Sequence, residues 1–178
     1  MRKLKMEELN RVSVEEFKEQ KKLPIVLVLD NVRSLHNVGS AFRTADAFAV
    51  SKIYLCGITG TPPNKEINKT ALGATESVDW EHVTNTAELA QQLKAEGFQI
   101  VAIEQADRSV SLADFVPVPN QKYALVFGNE VFGVEDEVME LADTVIEIPQ
   151  FGTKHSLNIS VAVGVVVWDF LSKLSIKG

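Results

Sequence analysis

Short, continuous apolar segments recur along this chain, and they constrain its fold more than any other feature. Residues 25–29 (IVLVL) and 123–127 (YALVF) are apolar at every position. Such segments are typical of strands that are buried on both faces, as in a parallel sheet. Six strands are predicted in all: residues 25–29, 52–56, 78–80, 98–103, 123–127 and 144–148, with an extension of the third to Val83 left open.

Segments with helical periodicity separate the strands. After Asn37, apolar residues recur at spacings of three and four, which gives one apolar helix face. Residues 86–96 are the clearest helix, with Asn85 as the candidate N-cap and Gly97 as the stop. The alternation predicts an α/β fold, a mostly parallel six-stranded sheet with helices on both faces.

The chain divides into an N-terminal arm, residues 1–22, and a single domain, residues 23–178. The arm is expected to be helical, because Ser13 and Glu16 have the spacing of a capping box. Glycines and prolines over residues 57–68 predict a loop. The arm carries many charges of both signs, so it is either a solvated helix face or a contact for RNA.

The stretch 148–170 joins a polar loop to a long apolar segment, which is too short and too polar at its start to cross a membrane. Its secondary structure stays open on local evidence, because the valines over 161–167 favour a strand. Four apolar residues nevertheless have helical spacing: Leu157, Val161, Val165 and Trp168. We expect the polar residues before the apolar segment to lie at the edge of a core.

Composition narrows the class of protein. The net charge of −6 argues against a surface coated in basic charge, although RNA binding through a local patch stays open. The single cysteine, Cys56, is expected to be a buried thiol. The N-terminus lacks the apolar segment of a signal peptide. The default expectation is therefore a cytoplasmic protein with no membrane partner.

Common cofactor and metal motifs are not found. No G-x-G-x-x-G follows the first strand, and the three histidines are scattered, so no metal site is predicted. Polar residues instead follow the predicted strands: Asn37 a few residues after the first, and residues 128–130 and 149–156 directly after two others. Because ligands of parallel sheets bind outside the carboxyl ends of the strands, we expect a site at this edge.

Three motifs together resemble the TrmH (SpoU) branch of the SPOUT RNA methyltransferases, over residues 25 to about 172. They are Asn37-Val-Gly39-Ser-Ala-Phe-Arg43-Thr, Phe127-Gly128-Asn-Glu130 with Gly133, and Ile148-Pro149 followed by Ser156-Leu157-Asn158 and Ser160-Val-Ala. The resemblance implies an α/β fold with a C-terminal deep trefoil knot, a helix over the apolar segment, and a homodimer. It also implies S-adenosylmethionine as the methyl donor and a ribose 2′-hydroxyl of transfer or ribosomal RNA as the acceptor.

The resemblance assigns roles residue by residue. Catalysis or shaping of the site falls to Asn37, Arg43, Glu130, Ser156 and Asn158, and contact with the cofactor to Gly128, Ile148 and Leu157. A ribose hydroxyl needs a base, yet arginine is almost always protonated, so Arg43 is either an unusual base or an anchor for an RNA phosphate. An alternative reading is a non-catalytic RNA-binding protein of the same fold, in which Ser156 and Asn158 are simple helix caps.

Overall fold

A computed structural model describes residues 1–175, so the last three residues of the predicted domain lie outside the described part. Within that part, seven strands form one parallel sheet in the order β3-β2-β1-β6-β4-β7-β5. The strands are β1 Leu23–Asp30, β2 Val50–Cys56, β3 Trp80–Val83, β4 Phe98–Ile103, β5 Val110–Ser111, β6 Lys122–Phe127 and β7 Thr144–Glu147. The predicted parallel α/β fold is confirmed.

The predicted strand count of six is wrong by one. The additional strand, β5, has two residues and pairs with β7 at the sheet edge. The third strand is also displaced, because the segment predicted at 78–80 begins with Val78, which is the C-cap of a helix, and the strand starts at Trp80. Both errors concern edge strands, whose pairing depends more on the neighbouring strand than on their own sequence.

Seven α-helices are found in the described residues. They are α1 Val14–Glu19, α2 Leu35–Ala47, α3 Lys65–Ala71, α4 Ala74–Ser77, α5 Thr86–Ala95, α6 Asp136–Leu141 and α7 Ile159–Ser175, and a short 3-10 helix, Met6–Glu8, precedes them. The capping box at Ser13 and Glu16 and the N-cap at Asn85 are both present.

The predicted loop over 57–68 is wrong from residue 65 onward. There α3 begins, because the Asn64 side chain accepts hydrogen bonds from the backbone N–H groups of Glu66 and Ile67. Ile67 is fully buried against α2. Ala71 is buried as well, so an N-cap and two buried residues stabilise a helix that the preceding prolines made hard to predict.

Two hydrophobic cores cover the sheet. Side chains of β1 alternate between them: Ile25, Leu27 and Leu29 face one core, and Val26 and Val28 face the other. This confirms that the central strands are buried on both faces. Cys56 is fully buried in the second core, and burial raises the pKa of its thiol to about 12.

The C-terminal apolar segment is the helix α7, as expected. Val163, Val166, Val167 and Phe170 are fully buried in the first core, where the helix packs against α2. The four residues Leu157, Val161, Val165 and Trp168 lie on the exposed side instead. None of the described helices combines the length and the apolarity that crossing a membrane requires.

Candidate active site

The carboxyl ends of the central strands open onto a cavity of about 470 Å³. Its walls come from the segments that follow β4, β6 and β7 and from the starts of α2 and α7. Seven of the eight residues singled out in the sequence line it: Asn37, Gly128, Glu130, Ile148, Ser156, Leu157 and Asn158. The fold therefore gathers residues that are separated by up to about 120 positions, because parallel strands end at the same edge.

A tight turn over residues 128–133 forms one wall. The backbone groups of Asn129 and Gly133 exchange two hydrogen bonds, and the Asn129 side-chain oxygen accepts two more from the N–H groups of Val131 and Phe132. Gly133 has φ +72°, and a Cβ on Gly128 would collide with the Gly133 backbone. Both glycines are thus required by the backbone of the turn itself.

Glu130 fastens this turn to the start of α2. Its two carboxylate oxygens accept hydrogen bonds from the backbone N–H groups of Arg33 and Ser34, each at 3.0 Å. Partial burial opposes ionisation of Glu130, but these two bonds, with help from the Asn37 side chain, lower its pKa below the ordinary value. Glu130 thus anchors the turn after β6 through backbone N–H groups.

The opposite wall is the entrance to α7. Asn158 is the cap of this helix: its side-chain oxygen accepts hydrogen bonds from Ser160 N at 2.8 Å and Ser160 Oγ at 2.6 Å. The side-chain NH₂ of Asn158 has no partner within residues 1–175 and remains available to a ligand. Ser156 is exposed, and Gln105 holds the loop before it by donating to the His155 carbonyl at 2.7 Å.

Arg43 does not reach the cavity. It is exposed on α2 and lines a separate groove with Ser40, Thr44 and Lys69. At 3.6 residues per turn, six residues carry Arg43 about 120° around the helix from the cavity-lining Asn37. Its guanidinium forms no ion pair or hydrogen bond in the described part of this chain, so no contact joins it to Glu130 within one subunit.

Two polar residues of the cavity were missed in the sequence. Glu104 and Gln105 follow β4 directly. Glu104 accepts hydrogen bonds from the N–H groups of Gln105 and Val134, which ties the end of β4 to the turn. Their position directly after a strand was the available signal, since the same rule located Gly128.

The arrangement suits an uncharged or cationic ligand with a flat apolar part. Ile103, Ile148, Leu157 and Ala162 supply apolar surface, and amides and carboxylates surround it. No cluster of three or more His, Cys, Asp or Glu side chains that would hold a metal ion occurs in residues 1–175. The fold and the cavity together define a parallel α/β protein with a ligand-sized site at the carboxyl ends of its strands.

Comparison with known proteins identifies the family to which this chain belongs. Residues 24–168 match the model of the SpoU rRNA Methylase family. A relative from Aquifex aeolicus, tRNA (guanosine(18)-2′-O)-methyltransferase, is 34% identical over 165 residues, which are 92% of this chain and 76% of the relative. The chain therefore belongs to the SpoU rRNA methylase family, and the resemblance seen in its motifs is confirmed.

Two further comparisons show how the chain differs in length. The 23S rRNA (guanosine-2′-O-)-methyltransferase RlmB of Neisseria meningitidis is 33% identical over 159 residues, 89% of this chain and 62% of that protein. The structure of an AdoMet-bound rRNA methyltransferase from Sinorhizobium meliloti aligns with a TM-score of 0.80 at 29% identity, over 89% of this chain and 60% of that one. The chain spans between 60% and 64% of the length of several curated relatives.

Proposed function

We propose that the chain is an S-adenosylmethionine-dependent RNA methyltransferase that transfers a methyl group to a ribose 2′-hydroxyl of transfer or ribosomal RNA. The observation that carries this proposal is the single cavity lined by seven of the eight motif residues. The relatives named above support it, because their names specify 2′-O-methylation of guanosine in tRNA and in 23S rRNA.

The cavity fits the cofactor on its own chemistry. Ile148 and Leu157 offer apolar surface to the adenosine, and the backbone near Gly128 lies open to it. The cofactor carries no phosphate, which is consistent with a site that has no glycine-rich phosphate loop. When bound, it supplies a methyl group on a positively charged sulfur, and the carboxylates of Glu104 and Glu130 at the cavity wall favour such a cation.

The residues of the chain then have to place a ribose and remove a proton from its 2′ oxygen. The free NH₂ group of Asn158 and the Ser156 hydroxyl lie where they can orient the ribose, and Asn37 lines the cavity at the start of α2. Glu130 is a positioning residue, since its carboxylate is occupied by backbone N–H groups. Arg43 either accepts the hydroxyl proton or holds the adjacent RNA phosphate.

We propose that Arg43 reaches the site of a second subunit in a homodimer. Four exposed apolar residues have helical spacing and form an apolar stripe: Leu157 just before α7, and Val161, Val165 and Trp168 on it. Trp168 packs against Phe48, with ring centroids 5.7 Å apart, and Phe48 lines the groove that holds Arg43. A two-fold contact through this stripe would bury it and would bring the partner subunit's Arg43 next to the cavity at the start of α7.

The remaining expectations are the trefoil knot and the cytoplasmic location, and both stand as proposals. For the knot, β7 lies beyond β4, whereas α7 packs against α2, which follows β1. The chain between them therefore crosses back over the carboxyl edge of the sheet, as a threaded C-terminus requires. A cytoplasmic location agrees with a substrate that is transfer or ribosomal RNA.

Incubation with labelled S-adenosylmethionine and bulk tRNA and rRNA tests the activity. We expect label in RNA and binding of the demethylated cofactor, S-adenosylhomocysteine, measured by calorimetry. RNA binding with neither label nor cofactor binding would identify a non-catalytic RNA-binding member of the family and refute the proposal.

A further inference from the structure

A second hollow, of about 680 Å³, lies on the other side of the 128–133 turn. It shares Asn129 and Gly133 with the active-site cavity, so the two sites are separated only by this turn. Its volume falls within the range of ligand-binding clefts, roughly 300–1,000 Å³. Its other walls are Asn31, Arg33, Ile58, Phe132, Val134, Glu135 and Asp136.

Phe132 is the most conspicuous group of this hollow, because 85% of it is exposed to solvent. It does not extend from a loose loop: the Asn129 side chain binds its backbone N–H, and the turn is closed by the two backbone hydrogen bonds between Asn129 and Gly133. Ile58, across the hollow, is also exposed. A rigid turn that holds an aromatic ring in solvent beside an active site indicates a binding surface.

The charges around the hollow decide which part of an RNA would fit. One cation, Arg33, faces two carboxylates, Glu135 and Asp136, so a phosphate is not favoured there. A nucleobase is neutral, presents a flat face to an aromatic ring, and has N–H groups at its edge that donate to carboxylates. The Arg33 guanidinium is in no ion pair within residues 1–175, and its plane also suits stacking on a base.

We propose that Phe132 is a stacking platform for an unpaired nucleobase of the RNA, with Arg33 and Asp136 at the edge of that base. This inference rests on the proposed function, because the base would belong to the target nucleotide or a neighbour of it. Stacking requires a base that is free of its duplex partner. The platform would thus select single-stranded or extruded nucleotides for the adjacent cavity.

The test compares Phe132→Ala and Phe132→Trp with Val116→Ala, a control at another exposed apolar residue that lines neither cavity. Binding of heat-denatured bulk tRNA and rRNA is measured at one fixed salt concentration, together with KM for RNA and S-adenosylhomocysteine affinity. Phe132→Ala should weaken RNA binding by about 5- to 100-fold and raise KM, as expected for loss of one base–aromatic stack. Phe132→Trp should bind at least as tightly as wild type, and cofactor affinity should not change.

Two results would refute the proposal that Phe132 stacks on a nucleobase. One is a Phe132→Ala variant with full RNA affinity in a preparation whose wild type methylates RNA. The other is a Phe132→Ala variant that dissociates into monomers, which would make Phe132 a subunit contact. Failure of the proposed function looks different: the wild type then neither binds cofactor nor transfers label, whatever Phe132→Ala does to RNA affinity.

Discussion

Glu130 Oε1 lies 3.0 Å from the backbone nitrogen of Ser34, 96 residues earlier in the chain. Ser34 is the N-cap of α2, so this bond joins the turn after β6 to the positive end of a helix. The same carboxylate also binds Arg33 N. One side chain therefore ties the turn that carries the second motif to the start of the helix that carries the first.

Glu130→Gln should lower the free energy of unfolding by about 1 kcal/mol at neutral pH. A neutral amide is a weaker acceptor for the two N–H groups, and the exposed position lets water replace part of the loss. Denaturant unfolding measures the difference. Glu140→Gln, an exposed glutamate without a hydrogen bond in the described residues, should change stability by no more than about 0.5 kcal/mol.

The pH dependence of this difference follows from the lowered pKa of Glu130. A carboxylate with a depressed folded-state pKa stabilises the fold fully above its unfolded pKa, about 4.3, and loses that contribution as the pH falls through the folded value. The gap between wild type and Glu130→Gln should therefore be constant from neutral pH down to roughly pH 5. It should shrink below that, and a gap that widens on acidification would show that Glu130 is not held as an anion.

Asn158 is expected to serve both as a cap and as a ligand, and two substitutions separate these roles. Asn158→Ala removes the acceptor for Ser160 and should cost about 1 kcal/mol of stability. Asn158→Asp keeps the acceptor and adds a negative charge at the start of α7, so it should restore stability. If the NH₂ group orients the ribose, methyl transfer stays low in both variants. Recovery of both stability and methyl transfer in Asn158→Asp would show that Asn158 acts only as a helix cap.

Arg43→Ala should lower methyl transfer by at least about 100-fold, the usual contribution of a positioned base or anchor, while cofactor affinity measured by calorimetry stays nearly unchanged. Arg108→Ala, whose side chain is 93% exposed, is the matched control and should retain activity.

The salt dependence of RNA binding distinguishes the two roles of Arg43. Loss of one phosphate contact should reduce the slope of log affinity against log salt by about 1. If Arg43 is instead the general base, its removal should leave the slope of log affinity against log salt unchanged and should lower only kcat. Unchanged transfer in Arg43→Ala would show that neither role is correct.

Val161→Glu should convert the protein from a dimer to a monomer, because a carboxylate would be buried in the apolar stripe of α7 without a partner. Sedimentation equilibrium should give twice the 19.6 kDa chain mass for wild type and a single chain mass for the variant. Val116→Glu, at an exposed valine off α7, should remain dimeric. A wild-type protein that sediments as a monomer would also remove the proposed route of Arg43 to the site.

The central fold was predictable because each buried strand carries its own signal. The apolar segments at β1 and β6 were located directly, since every residue of such a strand meets a core. The two-residue β5 has no such signal and exists through its pairing with β7. For α7, the local pattern left helix and strand open, and only the resemblance to the family indicated a helix. Because both sides of the segment are apolar, the sequence also did not show that Val163 would be buried and Val161 exposed.

The sequence predicted the part of the candidate site that one chain forms by itself. Residues directly after parallel strands converge, which places Gly128 and Ile148 on one cavity. Arg43 does not follow a strand directly, and it lies outside this cavity. Helix geometry turns it away from Asn37, and in the homodimer proposed above the partner subunit would bring it to the site. Sequence periodicity within one chain carries no information on that contact.

The most direct test of the account is the identity of the methylated nucleoside. RNA labelled by the wild-type protein with S-adenosylmethionine is digested completely, and the labelled nucleosides are separated and identified. We expect label exclusively in a 2′-O-methylated ribose, at positions that resist alkaline cleavage, and at least about 100-fold less of it with Arg43→Ala. Label on a base, or no label in any RNA, would contradict it.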